Sequence, residues 1–159
     1  MSACLKGSLP EALLYSGYAR GQAVAEEYSS IFPVRYYIEL QNHGIPEEIR
    51  NIELATKLAK DMGLPTVATN DAHYARKEHH VAHDVHICIG TGKQLSDSKR
   101  LKYPGHEFYF KSQDEMVSLF KEFPQALENT RAITDSIDLD ILMDEYHLPW
   151  YKIPEGSDA

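Results

Sequence analysis

Cysteine is scarce: the 159 residues contain two, Cys4 and Cys88. They could form at most one disulfide, so this is not a disulfide-stapled secreted domain, and such usage fits a reducing cytoplasm. Long apolar runs are missing, and nothing approaches the roughly 20 residues of a membrane span. Basic residues are outnumbered, 16 Lys plus Arg against 24 Asp plus Glu, for a formal net charge of −8. That balance repels a phosphate backbone unless cations cluster. The one concentration, Lys93, Lys99, Arg100 and Lys102, is loose, which argues against DNA binding by this surface alone. No phosphate loop is present, since GTGK lacks the leading glycine spacing and a following Ser or Thr, and there is no GxSxG elbow. The opening MSACLKGSLPEALL shows no basic start leading into an apolar run and is not a targeting segment. Its abrupt beginning raises the expectation of a piece cut from a longer protein.

What is present, 43% hydrophobic and 25% charged residues, is the composition of one globular domain long enough to bury a core. PEALLYSG, from Pro10, reads as a helix stopped by Gly17, and YARGQAVAEEYSSIF as a second that ends before Pro33. RYYIELQ, rich in aromatic and β-branched residues, reads as a strand running into the loop NHG. Pro46, Glu47 and Glu48 open a helix with negative charge in its first turn, where the dipole favours it. Ile49, Ile52, Ala55, Leu58, Ala59 and Met62 recur there at helical spacing, and Gly63 ends it. LPTVAT follows as a short strand, which makes a βαβ unit and hence a parallel pair. The fold class is therefore α/β. Lys77 to Ile89 reads as a further helix closed by GTGK, and EFYFK, after a polar loop, as a strand. Ser112 caps QDEMVSLFKEF, Pro124 opens QALENTRAITDSI, and the tail from Asp138 reads as extended.

If Thr66 to Thr69 is a strand, Asp71 and His73 project together from its carboxyl end provided the extended course persists. In parallel α/β folds that end carries the site. A carboxylate beside an imidazole suits zinc, manganese or iron better than calcium. The competing reading is ordinary turn and cap chemistry, with the histidine in solvent. Glu39 and His43, in YIELQNHG, flank the end of the preceding strand. Glu39 is either a buried paired carboxylate or a ligand, and His43 either orients a ligand from behind or sits in the turn. His79, His83 and His86 share a helix face, spacing that can grip a metal, but Val81, Val85, Cys88 and Ile89 lie roughly opposite, which favours reading the histidine face as the solvated one. Cys4 is a zinc-competent thiolate or a small buried side chain near a terminus. Cys88, on the apolar helix face, reads as core.

SACLKGSLPEAL, YYIELQNHGIPEE, LPTVATNDAHY, AHDVHICIGTGK, EFYFKSQDEM and FPQALENTRAI together resemble one family, in order and over nearly the whole chain. They look like the later half of the polymerase-and-histidinol-phosphatase (PHP) domain of bacterial DNA polymerase III alpha subunits. The resemblance implies part of a distorted (β/α)7 barrel with metals at its strand ends: residues 1–105 would be the C-terminal portion of the barrel, and 106–159 a helical extension toward the polymerase core. Asp71 and His73 match the family's DxH metal motif, and Cys4 matches a position that serves as a ligand in metal-binding members. The family's earlier ligands have no counterpart here, so this segment alone is expected to be inactive.

Also implied are zinc or manganese at the intact site and magnesium for the parent polymerase. The implied partners are DNA, dNTPs and other replicase subunits such as the proofreading exonuclease, in the cytoplasm. The palm carboxylates of nucleotidyl transfer would lie beyond this stretch. Two rivals are a free-standing phosphoesterase of the histidinol-phosphatase kind and an interaction module that has lost its metals. Strand edges left open by a partial barrel lead to one more expectation, that the chain associates with itself or covers them with its own termini.

Overall fold

The computed structural model describes residues 1–141 together with 143, 146, 148–150, 152 and 155. The first helix, α1 (Ser8–Glu11), runs into a π turn at Ala12–Ser16 and stops at Gly17, whose φ of 94° suits a residue without Cβ. It begins two residues earlier than Pro10 predicts. Pro10 still falls in the first turn, where a missing N–H costs nothing. Helix α2 (Tyr18–Ile31) crosses the π turn at Gly21, where a Cβ would fall 2.3 Å from Leu13 Cδ2. Close approach there needs glycine.

Strand β1 (Ile38–Leu40), helix α3 (Pro46–Met62) and strand β2 (Thr66–Ala68) form the expected parallel unit. Ile38 lies opposite Thr66, Glu39 opposite Val67 and Leu40 opposite Ala68. Both strands are shorter than their β-rich stretches, RYYIELQ and LPTVAT. Pro46 occupies the first turn of α3, and Gly63 closes it at a left-handed φ of 66°. Alternation along the strands separates two faces. Ile38, Leu40 and Ala68 join a core with Ile52, Ala55, Leu58 and Ala59 of α3 and with Leu9, Leu13, Val24 and Ala25. Glu39 and Val67 share the other face.

The sheet edges, expected to be open, are covered by this chain. On the outer edge of β1, the Ser2 N–H donates to Tyr37 O at 3.0 Å, and Ser2 Oγ accepts from the Glu39 N–H at 2.8 Å. On the outer edge of β2, Asn129 Nδ2 donates to Thr66 O at 2.8 Å. Such pairing blunts the edges against strand addition.

A short 3-10 turn (Lys77–His79) leads into α4 (His80–Thr91), ended by left-handed Gly92. Its faces follow the expectation only in part, with His79 and His86 exposed as expected. Val81 and Ile89 are 61% and 74% exposed, while His83 turns inward and Cys88 is buried as expected. EFYFK forms no strand, only a single parallel bridge, Tyr74 to Tyr109. It cannot lengthen, because Lys111 curls back onto the Glu107 carbonyl and Ser112 already begins the next helix.

In α5 (Gln113–Leu119), Ser112 Oγ accepts from the Glu115 N–H, and the Glu115 carboxylate accepts from the Ser112 N–H, a full capping box. The helix ends short of Phe123, which precedes Pro124 and is forced out of the helical region. Helix α6 (Pro124–Asp135) packs on β2, and Phe120 and Ala126 enter the same core as Leu9. The expected course of the tail from Asp138 falls partly outside the described residues. Among the described residues no helix is long and apolar enough to cross a membrane. Two paired strands and a helical majority make the chain α/β.

Candidate metal centre

β2 ends at Ala68, and Asp71 and His73 follow it in a loop where the Ala72 N–H donates to Asn70 O at 3.1 Å. The extended course on which their shared side was predicted therefore does not persist, yet their side chains meet. Asp71 Oδ1 lies 3.2 Å from His73 Nε2, with the side chains 43% and 31% exposed. Bonds of about 2.0–2.2 Å at a tetrahedral angle would place an imidazole nitrogen and a carboxylate oxygen about 3.3 Å apart, so this pair has the spacing of one edge of a coordination polyhedron. The donor chemistry and the separation both fit a divalent ion. Among the described residues no third His, Cys, Asp or Glu converges on it. Cys4, exposed near the N-terminus, is not part of a metal-spaced group with the pair.

The loop carrying the pair is fastened at three points. Asn70 Nδ2 donates to Tyr109 O at 2.9 Å, the Asp71 N–H to His43 Nε2 at 3.2 Å, and the His73 N–H to Phe108 O at 2.8 Å. His43 is itself rigidly held, 3% exposed and stacked flat on Phe108 at 4.6 Å and 5°. The Glu48 carboxylate takes both its backbone N–H at 2.6 Å and its Nδ1 at 2.9 Å. His43 is therefore not a free turn residue. Glu48, read from sequence as favourable dipole charge, is a buried partner at the third position of α3, reaching back as a capping-box glutamate does.

Glu39, 8% exposed, is a paired carboxylate. Its Oε1 accepts from Thr69 Oγ1 at 2.6 Å and from Gln41 Nε2 at 3.1 Å, tying the ends of β1 and β2 together. An aromatic cluster closes over His73. Its ring centre is 4.5 Å from Tyr103, 5.7 Å from His83 and 5.9 Å from Phe108. The Tyr103 hydroxyl lies 3.3 Å from His73 Nδ1 and 3.2 Å from Nε2.

Burial and the nearby Asp71 charge push the Tyr103 phenol up, so it stays neutral. Burial, then His73 and His86, push the His83 imidazole down. Tyr103 is carried by a loop pinned through Arg100, whose guanidinium grips both Asp84 oxygens at 2.5 and 2.6 Å. This fork holds the Asp84 carboxyl below the usual range and removes Arg100 from the free basic surface. A cavity of about 240 Å³ opens beside the cluster, between Tyr74, His80, His83, Lys102, Tyr103 and His106.

Tyr103, Phe108 and Glu48 were not singled out from sequence as site residues, and His83 was read there as lying on a solvated helix face. Glu48 alone had a readable sign, a carboxylate at the third helical position behind a loop histidine. The others meet through tertiary contact.

The geometry thus defines a parallel α/β segment presenting a carboxylate–imidazole pair at its strand ends. No protein-family model matches the chain. Over 97% of its length it is 41% identical to DNA polymerase III subunit alpha of Treponema pallidum (strain Nichols). It is 36% identical over 98% to that of Pseudomonas fluorescens, and 35% over 98% to that of Thermus aquaticus. The chain spans about 13% of the length of these curated relatives. It is homologous to one segment of the DNA polymerase III alpha subunit.

Proposed function

We propose that the chain acts as the C-terminal portion of a PHP barrel in a replicative DNA polymerase alpha subunit, supporting the polymerase and contributing part of a metal site. Residues 1–105 supply the barrel portion and 106–159 the extension toward the polymerase core. Asp71 Oδ1 and His73 Nε2 are two ligands of a zinc or manganese ion, and further donors, Cys4 among them, complete the set in the assembled protein. When bound, the ion supplies Lewis-acid chemistry toward a phosphate ester and acidifies bound water. Glu39 and His43 hold the strand ends and the loop from behind. The parent acts in the cytoplasm on DNA and dNTPs with magnesium, beside replicase subunits such as the proofreading exonuclease. This segment alone is inactive.

The observation that carries this reading is the 3.2 Å pairing of Asp71 with His73 at the end of β2, in a chain homologous to the alpha subunit over nearly its whole length. Elemental analysis of the purified full-length polymerase tests it. Zinc or manganese should be present in the parent and lost from Asp71→Asn and His73→Ala. Equal metal content in all three would remove Asp71 and His73 as ligands, and a parent without zinc or manganese would leave a metal-free interaction module in its place.

A further inference from the structure

We infer that His43, locked by Glu48 into one tautomer, is a positioning residue that sets where Asp71 presents its carboxylate. This rests on the metal reading and adds a residue role to it. The Asp71 backbone N–H can only donate, so the His43 Nε2 it meets at 3.2 Å must be an acceptor. Neutral imidazole then carries its proton on Nδ1, which faces Glu48 Oε1 at 2.9 Å. The other Glu48 oxygen holds the His43 backbone N–H at 2.6 Å, which fixes the carboxylate beside the ring, and the ring cannot turn without breaking its bonds to Glu48 and to the Asp71 N–H.

Phe108 adds the remaining constraint. Its ring lies flat against His43, and its carbonyl accepts the His73 N–H at 2.8 Å. One buried slab of His43 and Phe108 therefore holds the backbone at both ends of the Asp71–His73 pair, and neither contact uses the side-chain atoms that would bind an ion. The 3.2 Å ligand spacing is accordingly imposed from behind before any ion arrives. Partners behind a ligand typically change metal affinity by about 10–100-fold when removed.

The test uses the 159-residue chain, with manganese chloride as the probe. Nitrogen-15 spectra of the unsubstituted chain should show His43 protonated on Nδ1, and a coupling across the hydrogen bond from the Asp71 amide to His43 Nε2. Manganese should broaden the His73 ring signals. His43→Phe keeps an aromatic ring but has no acceptor, and should raise the manganese needed by about 10–100-fold. His43→Gln, whose amide oxygen can take the Nε2 position, should restore it to within about threefold.

A proton on Nε2 or an absent coupling overturns the inference, and both are read on the unsubstituted chain even if His43→Phe fails to fold. So does an unchanged manganese midpoint in folded His43→Phe while Asp71→Asn abolishes broadening. If Asp71→Asn and His73→Ala leave broadening unchanged, the metal reading fails instead, and the coupling still decides the positioning role.

Discussion

Thr69→Val tests whether the ends of the two strands are held by one buried carboxylate. Thr69 Oγ1 donates to Glu39 Oε1 at 2.6 Å, and accepts from Gln41 Nε2 at 3.2 Å. Valine keeps the branched shape and removes both bonds. Hydrogen bonds to charged groups contribute about 1.5–3 kcal/mol, and Gln41 stays bonded to Glu39, so the expected loss is about 2 kcal/mol. For a chain of this size that corresponds to about 4–8 °C in Tm. Urea denaturation monitored by circular dichroism measures it, with Thr69→Ser as the control that keeps the hydroxyl. In a Glu39→Gln background the same bond is neutral and roughly half as strong, so Thr69→Val should cost about 1 kcal/mol there. Equal costs in the two backgrounds, or a Thr69→Val loss no larger than that of Thr69→Ser, would refute the charge-assisted tie.

Leu58, fully buried between α3 and the sheet, should lose about 2–5 kcal/mol on Leu58→Ala in the same assay. The Tyr109–Glu115 bond, 2.6 Å long, gives a pH window. The Tyr109 hydroxyl, then Ser112, lowers Glu115 from 4.5 to about 2, while Glu115 and burial raise Tyr109 from 10.0 to about 12. A lowered carboxylate stabilises the fold above its unfolded value, and a raised phenol does so below its own. This contribution is therefore complete between about pH 4.5 and 10, fading toward about 2 and about 12, and Tyr109→Phe should flatten the stability profile at both ends. Tyr103→Phe removes the hydroxyl within reach of His73 Nδ1, the nitrogen an Nε2-bound metal leaves free to donate. Manganese affinity measured by line broadening should fall by about tenfold; unchanged binding would remove this supporting role, and tighter binding would show that the phenol competes with the ion.

Local chemistry was legible wherever one residue type decides the backbone. Pro46 and Gly63 bracket α3, Ser112 caps α5, and Pro124 opens α6, because fixed φ, a left-handed cap and a side-chain acceptor act within a turn. The place of Asp71 and His73 just after a strand was also legible in LPTVATNDAHY, whereas their approach to 3.2 Å is made by the loop beyond β2, where the strand period no longer applies. The orientation of α4 was not legible. A helix with apolar residues on one stripe and histidines on the other does not state which stripe meets neighbours. Here Tyr103 and Phe108, brought in from distant segments, pack their rings on His73 and draw His83 inward, leaving Val81 and Ile89 to solvent.

The same limit hid the role of His43, because a loop histidine gives no sign of burial until its partner is known. Glu48 supplies that partner by accepting from both its backbone and its ring. Polar pairing allowed burial here, and burial turned a loop residue into an anchor for the loop beside it. The candidate site thus divides by range. Its carboxylate–imidazole pair is set by the short loop that leaves β2, and its support by contacts between segments 28 and 30 residues apart, His43 with Asp71 and His73 with Tyr103.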